Sequence, residues 1–239
     1  MLRGPFSIKK SKVNNYRQYV KNHDIDVTSK IKFGKKTFID YANVEDYVNL
    51  EFFQGWAANL KIGRCTYAGP IQVHGYNGDL EIGRYCSIAG RLLLICGDGF
   101  HQTDRISNYP FPFKEPFNEL INRNEMYNDI SKFVKTKLII GNDVWIGEDV
   151  LITKNVNIGN GVVIGSKSVV TNDVPSYSIV GGNPAEVLKF RHDDNEISML
   201  EKIKWWDWST SKIIKEIDLF SLSGTALKNK LSELSSQLV

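Results

Sequence analysis

IGNDVW IGEDVL ITKNVN IGNGVV IGSKSV VTNDVP, residues 140–175, falls into six units of six without a gap. The first position holds Ile140, Ile146, Ile152, Ile158, Ile164 and Val170. The second is Gly or Thr throughout, and the fifth is Val144, Val150, Val156, Val162, Ser168 and Val174. A fixed period of this kind is the signature of a stacked-repeat architecture. The period is neither the two of a half-buried strand nor the 3.6 of an amphipathic helix. It predicts a coil with three flat sides, one short strand and one corner per unit, three units per turn: a parallel β-helix. Position-one aliphatics face inward and stack on their counterparts one turn away, the smaller fifth residue fills the narrow interior, and Gly and Asn fall near the corners. Each turn buries its inner face only against its neighbours.

The same frame extends outward from this stretch. Upstream it is legible at Ile62 (IGRCTY), Ile82 (IGRYCS) and Ile88, with a two-residue slip containing Gly75, Asn77 and Gly78. A first phase is expected from Val27, placing Val27, Phe33 and Ile39 at position one, and the frame is lost from Glu45 to Leu60. It is lost again from about residue 97 to 136, in a segment holding Pro110, Pro112 and Pro116 with Phe100, Tyr109, Phe111, Phe113, Phe117, Tyr127 and Phe133. That is too long for a passive connector and too aromatic for disorder, so an ordered excursion from one corner is expected. After the coil, helical spacing returns. Asp193 or Asp194 can cap a helix with Ile197, Leu200 and Ile203, and Ser209 to Ser211 a second with Ile213, Ile217 and Phe220. A third carries Leu227, Leu231, Leu234 and Leu238. These helices are expected to cover the open strand edge that ends a coil. The organisation reads as an N-terminal arm 1–26, a β-helix 27–187 with the inserted loop, and a helical segment 188–239.

Composition narrows the class. The chain has 239 residues and a net charge of +3, too slight to indicate a nucleic-acid partner. Three cysteines at no metal-like spacing fit a reducing, cytoplasmic setting, with Cys86 a small buried hydrophobe. The opening residues lack the apolar core of a signal peptide, and Leu92 to Cys96, the longest apolar run, is too short to span a bilayer. No H-x-E-x-x-H or Cys pair is present, and the array has no His, so no metal is expected.

Of four histidines, only His101 lies in the excursion, within GDGFHQTDRISNYPF. A lone His is more often structural, but here polar Asp104 and Ser107 and the aromatic Tyr109 surround it, as in a cleft that orients an imidazole over a polar acceptor. Neutral imidazole is the side chain suited to take a proton near pH 7. Gly165, Ser166, Thr171 and Asn172 offer small side chains on an outer face where an extended cofactor arm could lie. Lys189 and Arg191 could meet phosphates, although a solvated basic rim explains the pair equally well. Trp205, Trp206 and Trp208 read first as packing of a terminal helix.

In order along the chain, IGRYCSI, FHQTDRISNYPF, IGNDVWIG, SVVTNDVPSYSIVGGNPAEVLKF and IKWWDW resemble the hexapeptide-repeat acyltransferases, specifically the xenobiotic (chloramphenicol and streptogramin) acetyltransferase branch. The resemblance covers about residues 80–219. It implies a left-handed coil, acetyl-CoA as donor, and a homotrimer with active sites between subunits. His101 matches the family's base, Glu148, Ser166, Thr171 and Asn172 match positions along the cofactor, and Lys189 matches a basic position near its phosphates. Two departures stand out: many relatives have Lys where Asn172 stands and a basic residue where Glu186 stands, and Phe100 replaces the Asn that precedes the His in many antibiotic-modifying members. The first implies phosphate contacts that are fewer or shifted onto Arg191; the second, with the unmatched amino-terminal section, favours a sugar hydroxyl of a surface-polysaccharide precursor as acceptor. The alternatives are a hydroxylated antibiotic, a sugar amine and a purely structural β-helix.

Overall fold

The computed structural model describes residues 30–33, 38–74, 78–95, 106–111, 114–119 and 136–237. The strands wind into a parallel β-helix of about five turns. On the first face, Val44, Ile62, Ile82, Ile140 and Ile158 stack in register, with Val174 bridged to Ile158 at the end. On the second, Leu50, Ala68, Ile88, Ile146, Ile164 and Val180 do the same. The third stacks Val73, Leu94, Ile152 and Val170. All of these side chains are buried in one continuous core. Burying an aliphatic side chain of this size contributes roughly 1.5–3 kcal/mol, so the hexad frame carries the fold's main driving force. Cys86 joins this core at a fifth position, and burial pushes its thiol up to about 12.

The corners show why the second position is Gly. A Cβ on Gly83 would lie 2.4 Å from the Gly141 carbonyl oxygen, and one on Gly147 would lie 2.6 Å from the Ser166 nitrogen. The constraint is the next turn's backbone, not an unusual angle. The left-handed conformation falls two residues later, on Asp143, Asp149, Asn155 and Lys167, all with positive φ. Third-position side chains then tie successive turns. Asn142 Oδ1 accepts from the Arg84 N–H at 2.8 Å, and Asn160 Oδ1 accepts from the Asn142 N–H at 2.9 Å.

The amino-terminal reading needs correction. The frame does not lapse between Glu45 and Leu60: strand Asn49–Ile62 runs around the coil, and Leu50, Phe53 and Leu60 are buried. The register residue on the first face is Val44, whereas Ile39 pairs with Ala57. The sequence hid this because Gly55 stands in register with Val73 on the third face, and the buried side chain there is Phe53, two residues earlier. Val174, read as a fifth position, bridges to Ile158 as a first. Residues 1–29 and 75–77, with the arm and the slip assigned to them, lie outside the described residues.

The coil's end also differs from expectation. The edge of strand Ser178–Gly182 is covered by Ala185–Phe190, which pairs with it antiparallel. The helices instead pack along the corner between the first and second faces. Helix α1 (Asp194–Ile203) starts with a capping box in which the Asp193 carboxylate accepts from the Glu196 N–H. Helix α2 (Thr210–Lys215) is capped by Ser209, and α3 (Gly224–Ser236) buries Leu231 and Leu234. Trp206 and Trp208 are buried in this second cluster with Tyr177, as the packing reading expected. Arg84 bridges Glu45 on the coil (2.7 Å) to Asp207 on the helical segment (2.5 Å), and its guanidinium holds the Glu45 carboxyl below the usual range.

Candidate functional site

The corner between the second and third faces carries part of the expected site. Glu148 and Ser166 sit one turn apart there, and the Ser166 Oγ accepts from the Glu148 N–H at 3.1 Å. The Gly165 carbonyl accepts from the Ser168 hydroxyl at 2.6 Å, which fixes the bend beneath Ser166. One turn above Glu148 lies Arg91. Its Nε and Nη2 hold the Asp149 carboxylate at 2.5 and 2.8 Å, and Nη2 also meets Glu148 at 3.1 Å. The hydrogen bonds from Arg91 keep the Asp149 carboxyl below its ordinary range. Above this cluster opens a groove of ≈ 440 Å³ that Glu51, Tyr67 and Gly90 also line.

Sequence reasoning missed Arg91, Asp149, Glu51 and Tyr67. The first two were within reach, because both occupy the fourth position of a hexad once the long excursion is removed from the count. Both carry the positive φ of that position, 59° in each case. Glu51 falls in the stretch where the frame was obscured, whereas Tyr67 closes the legible hexad that begins at Ile62.

The remaining expected residues lie elsewhere. Thr171 and Asn172 are exposed at the next corner, between the third and first faces, with the Asn172 amide donating to the Thr171 hydroxyl at 3.2 Å. The excursion leaves and re-enters the coil at this same corner, after Leu92–Ile95 and before Lys137–Ile140. Lys189 is exposed on the covering strand, opposite Ile179. Arg191 turns to the helical corner. Its guanidinium donates to the Gly161 carbonyl at 2.6 Å and to Asp143 at 3.2 Å, and lies over the Tyr177 ring. Those contacts account for Arg191 structurally and separate it from the Ser166 group. His101 and Asp104 lie outside the described residues. Ser107 and Tyr109 are exposed, with the Tyr109 N–H donating to Ser107 Oγ at 3.1 Å and its ring edge-on to Phe111. Among the described residues no group of three or more His, Cys, Asp or Glu side chains could hold a metal ion, and no helix is long and apolar enough to cross a membrane.

A stacked-hexad solenoid with a small-residue corner and a long corner excursion defines a hexapeptide-repeat transferase, and residues 137–172 match the bacterial transferase hexapeptide family model (six repeats). The chain is 37% identical to a chloramphenicol acetyltransferase of Klebsiella aerogenes over 174 residues, 65% of this chain and 79% of the relative. It is 35% identical to a probable macrolide acetyltransferase of Lysinibacillus sphaericus over 160 residues, 64% of this chain and 84% of the relative. A mutant of AntD, an N-acyltransferase from Bacillus cereus, shares the fold at a TM-score of 0.50 and 19% identity, covering 79% of this chain and 95% of that one. The chain belongs to the hexapeptide-repeat acetyltransferases, in their xenobiotic acetyltransferase branch. It is an acetyltransferase, and its coil is the left-handed parallel β-helix.

Proposed function

We propose that the protein transfers an acetyl group from acetyl-CoA to a hydroxyl of a sugar or surface-polysaccharide precursor, in the cytoplasm and as a homotrimer. His101 acts as general base. It removes the proton from the acceptor hydroxyl as the oxygen attacks the thioester carbonyl; a backbone N–H near the cofactor groove stabilises the oxyanion. CoA then leaves as the thiol, taking the proton from His101. No covalent enzyme intermediate forms, because the coil holds both substrates in contact. Glu148, Gly165, Ser166, Thr171 and Asn172 line the path of the donor, with Lys189 toward its phosphates, and Asp104, Ser107 and Tyr109 face the acceptor. Trp145 and Leu188, 59% and 68% exposed on the outer surface of the coil, support burial against a second copy.

The observation that carries the acceptor class is the amino-terminal section. Strand Asn49–Ile62, which precedes the motifs that carry the resemblance to the antibiotic enzymes, is built into the coil and brings Glu51 to the groove beside Glu148. A second reading, inactivation of a hydroxylated antibiotic, is favoured by the chloramphenicol and macrolide acetyltransferases among the relatives. Release of free thiol from acetyl-CoA, measured with sugars, glycans and hydroxylated antibiotics, separates the two. Stimulation by glycans, lost by about 10²–10⁴ in His101→Ala, is expected. Stimulation only by an antibiotic selects the second reading, and near-full turnover in His101→Ala removes the general base.

A further inference from the structure

We propose that the corner groove is the acceptor's sugar-ring subsite, and that it selects an uncharged or amino-bearing ring over an anionic one. This rests on the glycan reading above. The groove, ≈ 440 Å³, is of a size with small-molecule sites, which run about 300–1,000 Å³. Its chemistry is that of a polyhydroxyl ligand. Tyr67, 55% exposed, lines one wall. The Glu51 carboxylate, also exposed, makes no hydrogen bond or ion pair among the described residues, and neither does the Tyr67 hydroxyl. Carboxylates accept from two vicinal hydroxyls, or from an ammonium group, at several lone-pair positions.

The groove's charge follows from its pairing. Arg91 is the cation of the lining, and its Nε and Nη2 are engaged by Asp149, with Nη2 also meeting Glu148. Glu51 and Glu148 therefore leave the lining net negative. A uronic or sialic acid ring would meet like charge there, which suppresses a wrong partner more than it helps a right one.

The floor supplies a second, independent observation. Elsewhere in the coil, glycines such as Gly83 and Gly147 are required because a Cβ would strike the next turn's backbone. Gly90 is not under that constraint. A Cβ there would sit 3.5 Å from Pro70 Cδ and 3.9 Å from Glu148 Oε1, both ordinary contacts, and its φ is not in the left-handed region. The fold accepts alanine at 90. What alanine would occupy is the groove, at the point where Glu148 faces it.

The test is saturation-transfer NMR on the full chain with methyl glucoside, glucosamine and glucuronic acid as probes, beside steady-state kinetics on whichever acceptor the thiol-release assay identifies. Binding of methyl glucoside and glucosamine but not glucuronic acid is expected. Gly90→Ala should weaken sugar binding at least tenfold with an unchanged or raised melting temperature and an unchanged KM for acetyl-CoA. Glu51→Gln should narrow the gap between methyl glucoside and glucuronic acid. Equal binding of glucuronic acid by the unmodified protein overturns the charge selection. Unchanged sugar binding in Gly90→Ala, with glycans still acetylated, overturns the groove assignment and leaves the proposed function standing. A rise only in the KM for acetyl-CoA gives the groove to the donor instead. No sugar binding together with turnover of an antibiotic alone overturns both readings.

Discussion

The lower turns of the coil, from Ile140 to Val180, and the upper turns, from Phe38 to Ile95, are built on the same ladders but not by the same means. In the lower turns each face takes one aliphatic at a fixed position, and each corner opens on a Gly or Thr, with the left-handed residue two positions later at Asp143, Asp149, Asn155, Gly161 and Lys167. In the upper turns Phe53 fills the interior near Gly55, one strand runs through Asn49–Ile62, and the groove opens between Tyr67 and Glu148. Regularity marks the scaffold. Departure from it coincides with the groove that a ligand could enter, because a floor that repeats perfectly leaves no depression.

Truncation in the core should break this comparison most strongly. Phe53→Ala removes a fully buried ring from the irregular region and is expected to cost about 3–5 kcal/mol in urea unfolding. Because each turn contacts only its neighbours, the loss should appear as early exchange of amides in the upper turns while those of residues 140–180 stay protected. Uniform exchange across both regions would mean the coil unfolds as one unit.

A sharper comparison comes from placing the same methyl on two glycines at one corner. Gly147→Ala drives a Cβ against the Ser166 backbone at 2.6 Å and is expected to destabilise by about 1–3 kcal/mol. Gly90→Ala, one turn above, should not destabilise at all. Equal melting temperatures for the two variants would refute the distinction between a glycine the coil requires and one the groove requires.

The smallest expected effect is a pH dependence confined to the helical corner. Burial, with the nearby Arg191 charge, lowers the His192 pKa, while Glu196 at 3.6 Å opposes the shift. The native state therefore favours neutral His192. Its contribution to stability is complete above the unfolded-chain value of about 6.5 and is lost as pH falls below it toward the depressed native value. Urea midpoints should decline modestly from pH 7 to 5, and His192→Gln should flatten that decline. An unchanged slope in the variant would assign it to other groups.

Much of this was legible before any coordinates. The lower array gave its own register because identical spacing forces identical stacking, and the capping residues Asp193 and Ser209 announced their helices. Two things hid the upper turns. The register residue on the third face is a glycine, Gly55, standing five residues after Leu50 instead of six, and an aromatic, Phe53, stands in register with the aliphatic Ile71. The need for Gly at the second position was not legible either, since it reflects the backbone of the neighbouring turn, as at Gly83 against Gly141 and Gly147 against Ser166, beyond any local rule.

By itself the sequence determined the coil, its three faces, the corner excursion, the helical segment that follows, and the family to which the chain belongs. All of these rest on periodicity and local motif, which are properties of neighbours along the chain. Only the tertiary structure decided that Arg91 is held by Asp149 and Glu148, that Arg191 turns to the helical corner rather than toward Ser166, and that Glu51 and Tyr67 share a groove. Each of those depends on which residues stacking brings to one corner from separate turns. That follows from where every insertion and one-residue slip falls, and the chain's local pattern does not record it.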